Sequence, residues 1–258
     1  MTKKETIKEI REKLATDTYS PSEWEAYQKD NRKGVQDLVS KQKKKDKEKQ
    51  QQKDQFEHML IWEKNLWNKG YTYIAGIDEA GRGPLAGPVV AGAVIIDESF
   101  YIEGLDDSKK LPESTRERFF DEIKEKAVGF GIGIVDSQTI DQINIYQATK
   151  LAMKKAVMDI KNDPQYLLID AVKLPELPVH QESLVKGDQK SVSIAAASVL
   201  AKVTRDRMMK DIDREYPSYQ FASNMGYGTK VHLEALKQNG PTPFHRRSFT
   251  PVKEAMKS

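Results

Sequence analysis

The spacing of hydrophobic residues differs between the first quarter of the chain and the rest. In residues 1–70, apolar positions such as Ile7, Ile10 and Leu14 recur every three or four residues, which is typical of amphipathic helices. In residues 71–258, short apolar runs alternate with amphipathic stretches, which indicates an α/β layer. We therefore predict a helical N-terminal extension followed by one α/β domain.

Within the extension, Ser20 and Glu23 form a capping-box pattern that predicts the start of a second helix. The apolar spacing continues this helix through Leu38. Residues 41–53 are almost wholly polar and interrupt the pattern, and a further helix resumes at Phe56.

The α/β domain is predicted to contain five strands and three principal helices. The strands are predicted at residues 71–77, 88–96, 128–135, 166–169 and 182–186, and the helices at residues 113–127, 140–160 and 193–212. The second strand is apolar throughout, so it is expected to lie centrally in the sheet.

Composition narrows the possible classes of protein. The chain has no cysteine, which excludes disulfides, thiolate zinc sites and cysteine nucleophiles, and fits a reducing compartment. No apolar run approaches the roughly 20 residues that a membrane-spanning helix needs. We predict a soluble, cytoplasmic protein without a membrane partner.

Positive charge is concentrated near the N-terminus. The whole chain carries a net charge of only +3, from 42 basic and 39 acidic residues. Residues 41–53 alone contain seven lysines against two acids. Such runs are usually solvated, but they also bind nucleic-acid phosphates.

Two adjacent carboxylates, Asp78 and Glu79, follow the first predicted strand and precede a Gly-Arg-Gly loop (residues 81–83). Successive strand residues face opposite sides, so both acids reach one site only where the strand ends or kinks. Asp170 and Asp188 also stand where strand-like runs stop, and sites in α/β sheets form at strand ends. Four such oxygen ligands suit Mg²⁺, and two ions would activate water against a phosphodiester.

Each acid also has a simpler explanation, because aspartate at a strand end is common turn chemistry. A buried carboxylate cluster needs a cation or a raised pKa, but spacing alone does not show that the segments meet. A nucleotide-binding role for the glycines fits poorly. The spacing from Gly81 to Gly87 does not match the dinucleotide fingerprint, and no phosphate-loop Gly-Lys-Ser/Thr occurs.

Six short motifs occur in order along the α/β part of the chain. They are residues 76–91, 107–111, 168–170, 186–188 with 193–206, 226–230 and 243–249. Together they resemble the bacterial ribonuclease HII family over about residues 71–251. Each motif is weak alone, but the six in sequence are specific.

The resemblance implies a ribonuclease H-like fold, with a mixed five-stranded sheet and flanking helices. It implies endonucleolytic cleavage of RNA in RNA–DNA hybrids and 5′ of single ribonucleotides in duplex DNA, leaving 3′-hydroxyl and 5′-phosphate ends. It also implies a need for Mg²⁺ or Mn²⁺, with two ions bound beside substrate. The family's catalytic and metal-binding acids correspond to Asp78, Glu79, Asp170 and Asp188.

The resemblance also implies substrate contacts. Gly81, Arg82 and Gly83 match the loop that senses the 2′-hydroxyl through backbone groups, and the 2′-hydroxyl is what distinguishes RNA from DNA. Tyr227 matches the tyrosine that stacks at the junction between ribonucleotide and deoxyribonucleotide. An isolated tyrosine is equally often half-buried packing.

Phosphate contacts are expected from Ser108 and Lys109, although both also suit a turn before a helix. Other basic candidates are Lys202, Arg205 and Arg207 on a predicted helix, and the turn at residues 245–247. A solvated surface is the alternative for each. Asp206 is expected to pair with a neighbouring base and not to be catalytic.

The implied partners are RNA–DNA hybrids and duplex DNA containing ribonucleotides. No protein-docking motif is recognised, so we expect a monomer without an obligate protein partner. Arg82 favours ribonuclease HII, because the related ribonuclease HIII family typically has lysine there. A ribonuclease HIII-like enzyme for longer hybrids and a non-catalytic hybrid-binding protein remain alternatives. Residues 1–70 more weakly resemble a family extension, and we hypothesise that they help to bind substrate.

Overall fold

The computed structural model describes residues 4–257, so the ends of the two predicted domains, residues 1–3 and 258, lie outside the described residues. Two compact units are present, one ending at Gln55 and the other beginning at Phe56. The N-terminal helices are α1 (Ile7–Ala15), α2 (Pro21–Gln28), α3 (Lys33–Met59) and α4 (Ile61–Trp67). The strands are β1 (Ile74–Ala80), β2 (Val89–Ile96), β3 (Gly129–Val135), β4 (Tyr166–Asp170) and β5 (His180–Leu184). The remaining helices are α5 (Glu113–Lys126), α6 (Ser137–Asp159), α7 (Val192–Glu215), α8 (Phe221–Asn224), α9 (Lys230–Asn239) and α10 (Thr250–Ala255).

The helix predicted to run from Ser20 through Leu38 is broken in two, between α2 and α3. The capping box at Ser20 forms as predicted. The break centres on Asp30, whose carboxylate accepts the Arg32 backbone N–H at 2.9 Å and pairs with the Arg32 guanidinium at 2.7 Å. A local side-chain turn of this kind competes with continued helix.

The polar tract at residues 41–53 does not interrupt the helical pattern, because it lies inside α3. Lysine, glutamine and glutamate have high helix propensities, so a helix forms here without an apolar face. The first unit has its own small hydrophobic core. Its buried residues are Ile10, Leu14, Tyr27, Val35 and Val39.

The second unit is built on a mixed five-stranded sheet, as predicted, with the order β3-β2-β1-β4-β5. β1 is antiparallel to β2 and parallel to β4. β3 is antiparallel to β2, and β5 is parallel to β4. β5 lies two residues earlier than predicted. It ends at Leu184 because Val185 is exposed and Lys186 adopts a left-handed turn with φ 58°.

Helices α6 and α7 pack in hydrophobic clusters with opposite faces of the sheet. Along β2, Ala91 and Ala93 belong to the cluster that contains Ala152 of α6. Val94 and Ile96 belong to the cluster formed with α7. This alternation follows the two-residue period of a strand, and it explains why β2 is apolar throughout.

The segment after Gln55 contributes to the core of the second unit. Phe56 and Met59 lie in the same buried cluster as Phe119 of α5. The domain boundary predicted at residue 70 stays a prediction, but residues 56–67 supply core side chains that α5 and α7 need. Among residues 4–257, no helix has the length and apolar content to cross a membrane.

Candidate active site

β1 continues through Ala80, so Asp78 and Glu79 lie inside the strand that was predicted to end at Ile77, and Asp170 is the last residue of the neighbouring β4. These strands are parallel, and Ile77 pairs with Ile169, so Asp78 and Asp170 follow at the same edge of the sheet. Asp78 is buried, and its Oδ1 accepts the Glu79 backbone N–H at 2.7 Å. The sheet register therefore brings together three of the four predicted acids.

Asp188 reaches the same edge through a short turn after β5. It lies in the 3₁₀ turn Gly187–Gln189 and is only 3% exposed. The Gly187 backbone N–H donates to Asp170 Oδ1 at 2.7 Å, which ties the turn to the end of β4. Asp188 Oδ2 accepts from Lys109 Nζ at 3.0 Å.

The acids share an environment that disfavours their charged forms. Burial, followed by the negative charges of Glu79 and Asp170, raises the pKa of Asp78. Burial also raises the pKa of Glu79, although Arg82 opposes this shift with its guanidinium 3.4 Å from Glu79 Oε1. Burial raises the pKa of Asp170 against the effect of the Gly187 hydrogen bond. The neighbouring cations therefore do not offset the burial of these acids.

Lys109 supplies part of the missing charge. Burial disfavours its ammonium form, but the hydrogen bond to Asp188 and the attraction of Asp188, Asp107 and Asp78 raise the pKa of Lys109 overall. Its Nζ also lies 3.8 Å from Asp107 Oδ1. The side chain is 70% exposed, so the ammonium group is accessible from solvent.

The acidic wall has the ligand chemistry of a divalent-cation site. Glu79 Oε2 is buried and has no hydrogen-bond partner among the described residues. Such an oxygen is costly without a cation, and carboxylates are the ligands that Mg²⁺ and Mn²⁺ favour. Residues 4–257 contain no group of three or more His, Asp or Glu in the spacing of a preformed metal site.

A cavity of about 480 Å³ joins the acids to the predicted substrate contacts. Its lining residues include Asp78, Glu79, Asp170, Gly81, Arg82, Gly83, Ser108, Lys109, Arg116, Lys202 and Tyr227. All six predicted substrate-binding residues are therefore at one pocket. Asp188 does not line this pocket itself, but it holds the lining residue Lys109.

Three further basic residues line the pocket: Arg116, Lys202 and the largely buried Arg205. Arg116, which the sequence analysis missed, donates to the carbonyl of Ser108 at 3.3 Å. Lys202 pairs with Asp206 at 2.7 Å, and the Arg116 guanidinium lies 3.6 Å from the same carboxylate. Asp206 thus pairs with neighbouring bases, as predicted. Ser108 is buried, and its N–H is already used, since it donates to Ser198 Oγ at 3.4 Å. The support for a substrate contact at Ser108 is therefore its position beside the pocket.

The loop that follows the acids Asp78 and Glu79 is held by a buried guanidinium. Arg246 is fully buried, and its five N–H donors all reach backbone carbonyls of one loop. Nε donates to Gly87 O at 3.0 Å, Nη1 to Arg82 O at 3.1 Å and Pro84 O at 2.8 Å, and Nη2 to Gly81 O at 2.6 Å and Pro88 O at 3.2 Å. The loop therefore turns its carbonyl groups towards Arg246.

Arg205 holds the same loop from α7. It donates to Pro88 O at 2.9 Å, to Ala86 O at 3.0 Å and to Met225 O at 2.9 Å. Burial lowers the pKa of Arg205 to about 10, and burial together with Arg205 lowers that of Arg246 to about 9. Both guanidinium groups stay charged at neutral pH. We define Arg205 and Arg246 as the buried arginine pair.

Their burial corrects the expectation that Arg205 and the turn at residues 245–247 contact phosphate. Arg205 is 1% exposed, His245 is 1% exposed and Arg246 is 0% exposed, so only Arg247 of that turn faces solvent. The sequence did contain a signal for the burial of Arg246, since this residue stands between Phe244 and Phe249 in a partly apolar segment.

While Arg246 binds the Gly81 and Arg82 carbonyls, the Gly-Arg-Gly loop leaves backbone amides available. Within residues 4–257, neither Arg82 nor Gly83 donates its N–H to another residue. Gly81 has φ +98°, and a Cβ there would lie 2.2 Å from Arg205 Nε, so glycine is required at this turn. A Cβ on Gly83 would lie 3.5 Å from Cε1 of Tyr227, which is 49% exposed and keeps an open aromatic face at the pocket.

Fold and pocket together define a ribonuclease H-like protein. The family description Ribonuclease HII matches residues 75–252, and Ribonuclease HII N-terminal domain matches residues 6–67. The chain is 59% identical over 226 residues to a ribonuclease HII of Bacillus cereus (strain Q1), which covers 88% of each chain. It is 54% identical over 254 residues to that of Bacillus cytotoxicus, which covers 98% of each.

A solved structure agrees with these relatives. The ribonuclease H2 of Pyrococcus horikoshii OT3 superposes with a TM-score of 0.62 at 28% identity, covering 72% of this chain and 97% of that one. The chain belongs to the ribonuclease HII family and is a type 2 ribonuclease H, a phosphodiester hydrolase. The predicted fold, family and class of enzyme are confirmed. Enzymes of this family depend on divalent metal ions.

Proposed function

We propose that this ribonuclease HII hydrolyses RNA in RNA–DNA hybrids and the phosphodiester 5′ of single ribonucleotides in duplex DNA. The products would carry 3′-hydroxyl and 5′-phosphate ends. The observation that carries this proposal is the pairing of two unlike walls in one pocket. One wall presents strand-end carboxylates, and the other presents the free amides of the Gly-Arg-Gly loop beside an exposed tyrosine.

In this proposal Asp78, Glu79, Asp170 and Asp188 hold Mg²⁺ or Mn²⁺, with two ions present when substrate is bound. Such ions, when bound, supply an activated water and stabilise the 3′-oxygen that leaves. The unpartnered Glu79 Oε2 and the raised pKa values of the acids support this assignment. Asp188 contributes from its buried turn, and Lys109 balances its charge.

The Gly-Arg-Gly loop and Tyr227 select the phosphodiester that is cut. Backbone amides of residues 81–83 approach the 2′-hydroxyl closely because Gly81 and Gly83 carry no side chain. Tyr227 stacks beside the ribonucleotide without reading a base, since every base has a face available for stacking. Ser108 and Lys109 contact the adjacent phosphates, with Lys109 acting as a point charge.

Three duplexes of one sequence test the activity. They are an all-DNA duplex, the same duplex with one ribonucleotide, and an RNA–DNA hybrid. With Mg²⁺ or Mn²⁺ we expect cleavage of the second and third only, and a cut immediately 5′ of the single ribonucleotide. Omission of the metal should abolish cleavage of both substrates. Cleavage of the all-DNA duplex, or cleavage without metal, would contradict the proposal.

We also propose that the N-terminal helices add affinity for duplex substrates through the lysines at residues 41–53. Neutralised phosphates release counterions, so the contribution should depend on salt. The truncation belongs after Gln55, because Phe56 and Met59 lie in the core of the catalytic unit. Loss of these helices should weaken binding and flatten its dependence on salt concentration. An unchanged affinity and salt slope would exclude this role.

A further inference from the structure

Two histidines form a buried pair beside Tyr227. His232 lies on α9 and is 0% exposed, and His245 lies in the segment before α10. Their Nε2 atoms are 2.9 Å apart. His232 Nδ1 lies 2.9 Å from the Tyr227 carbonyl oxygen, and His245 Nδ1 lies 2.9 Å from the Thr242 backbone nitrogen.

The surrounding donors and acceptors fix the protons of both rings. The Thr242 backbone N–H is a donor, so His245 Nδ1 accepts and the proton of neutral His245 is on Nε2. His245 Nε2–H then donates to His232 Nε2. The remaining proton of His232 is on Nδ1 and donates to the Tyr227 carbonyl. One ordered chain of hydrogen bonds therefore runs from Thr242 to Tyr227.

Neighbouring aromatic side chains shield these hydrogen bonds from solvent. The ring of Tyr219 packs edge-on against His232 and His245, with centroid distances of 6.2 and 5.1 Å. Phe221 packs against the same two rings at 5.2 and 5.7 Å. Burial lowers the pKa of both histidines, which keeps them neutral at physiological pH.

The same segment also holds the Gly-Arg-Gly loop. Arg246 directly follows His245, and the Gly87 N–H donates to Phe244 O at 2.8 Å. The Leu85 N–H donates to the carbonyl of Gly226, next to Tyr227, at 2.8 Å. The histidine pair and the buried arginine pair therefore fix two parts of one wall from a common base.

We propose that His232 and His245 are positioning residues that set the orientation of Tyr227 and thereby the preference for single ribonucleotides over continuous hybrids. This inference rests on the proposed role of Tyr227 in substrate selection. The Tyr227 carbonyl also accepts the Thr229 N–H at 2.7 Å, so two donors fix its peptide plane. Removal of the His232 donor leaves that plane held on one side only.

Two substitutions of one residue separate positioning from packing. His232→Asn places an amide donor near the Nδ1 position and keeps the bond to Tyr227. His232→Gln places its amide near the Nε2 position and loses that bond. We expect His232→Gln to lower kcat/KM on the single-ribonucleotide duplex about 10-fold relative to the hybrid, as for one lost hydrogen bond, and His232→Asn to change this ratio less than about 3-fold. His58→Asn, at an exposed site, is the control.

Hydrogen exchange of residues 224–229 gives a readout independent of cleavage. It should accelerate in His232→Gln and not in His232→Asn. If His232→Gln does not fold, His245→Asn replaces it, since this variant keeps the bond to Thr242 and loses the bond to His232. Equal exchange and an equal substrate ratio in all folded variants would overturn the proposal.

Combination with Tyr227→Ala distinguishes failure of this inference from failure of the proposed function. If the pair acts through Tyr227, His232→Gln adds no further change of preference in the Tyr227→Ala background. Additive effects would overturn the inference. If Tyr227→Ala itself leaves preference unchanged, the proposed selection by Tyr227 is wrong, and the linked claim about preference falls with it. Accelerated exchange in His232→Gln would still support the positioning of Tyr227.

Discussion

The acidic wall of the pocket (Asp78, Glu79, Asp170 and Asp188) and the selecting wall (the Gly-Arg-Gly loop and Tyr227) are held in different ways. The acids stand at or just beyond strand ends, where sheet pairing fixes their positions. The selecting wall belongs to no strand. Buried guanidinium and imidazole groups bind its backbone carbonyls instead.

The two walls also differ in charge. Burial and repulsion by neighbouring acids raise the pKa values of Asp78 and Glu79, so the acidic wall favours a cation. Two buried cations, Arg205 and Arg246, lie behind the selecting wall, and hydrogen bonds to backbone carbonyls stabilise their charges. We infer that the acidic wall carries out hydrolysis, whereas the selecting wall determines which phosphodiester is cut.

The largest effect is expected from Asp170→Asn. The change removes one anionic metal ligand, and metal ions supply several kcal/mol of transition-state stabilisation, so we expect a loss of at least about 1,000-fold in kcat. The fold should be retained, since Asn Oδ1 still accepts the Gly187 N–H. Steady-state cleavage with circular dichroism checks both points. The exposed Asp163→Asn is the matched control, and near-normal turnover by Asp170→Asn would refute the metal assignment.

Arg246→Lys should strongly destabilise the selecting wall. An ammonium group has three donors where the guanidinium uses five, so at least two of the five hydrogen bonds are lost. Pro88 O keeps its bond to Arg205, so at least one buried carbonyl loses its partner. At 1–3 kcal/mol for each unsatisfied group, we expect the free energy of unfolding to fall by about 2 kcal/mol. Urea denaturation measures this change. Arg247→Lys, at the exposed neighbouring position, should have no comparable effect, and equal stability of the two variants would argue against the five-bond arrangement.

Gly81→Ala and Gly83→Ala form a matched pair with unequal outcomes. At Gly81 the added Cβ meets Arg205 Nε at 2.2 Å on a backbone with φ +98°. We expect a loss of about 2 kcal/mol in the free energy of unfolding, as for other strained backbone positions. At Gly83 the Cβ meets only Tyr227 Cε1, at an ordinary contact distance of 3.5 Å. Thermal unfolding of both variants should show that Gly81→Ala is the less stable of the two. A Gly81→Ala variant more stable than Gly83→Ala would contradict this prediction.

A smaller effect is expected from mild acid. Burial and then His232 lower the pKa of His245 to about 3, below the roughly 6.5 of an unfolded histidine. The stability that neutral His245 provides is therefore present above pH 6.5 and is lost as pH falls towards 3. By pH 5.5 the loss is about 1 kcal/mol. The groups that pack against the pair are Tyr219, Phe221 and Thr242, with no carboxylate among them.

The acidic wall has the opposite sign, because carboxyl groups with raised pKa values favour the folded state as pH falls. The comparison of wild type with His245→Gln isolates the histidine contribution. Denaturation at pH 7.0 and 5.5 should show a steeper decline for wild type than for the variant. Parallel declines would show that His245 does not titrate in this window.

The acidic wall was largely predictable from the sequence, whereas the support of the selecting wall was not. Asp78 and Asp170 each end an apolar run, and the rule that α/β sites form at strand ends links them. Arg205 and Arg246 looked like surface cations, since sequence pattern does not show which carbonyl groups need donors. The same limit hid His232 and His245, whose partners lie 5 and 3 residues away on irregular backbone.

The division between the two walls is tested most directly by single-turnover cleavage of two substrates, the single-ribonucleotide duplex and the RNA–DNA hybrid. Asp170→Asn and Tyr227→Ala are the informative variants. The account predicts that Asp170→Asn slows both reactions by the same factor, whereas Tyr227→Ala changes the ratio of the two rates. A changed ratio in Asp170→Asn together with an unchanged ratio in Tyr227→Ala would contradict it.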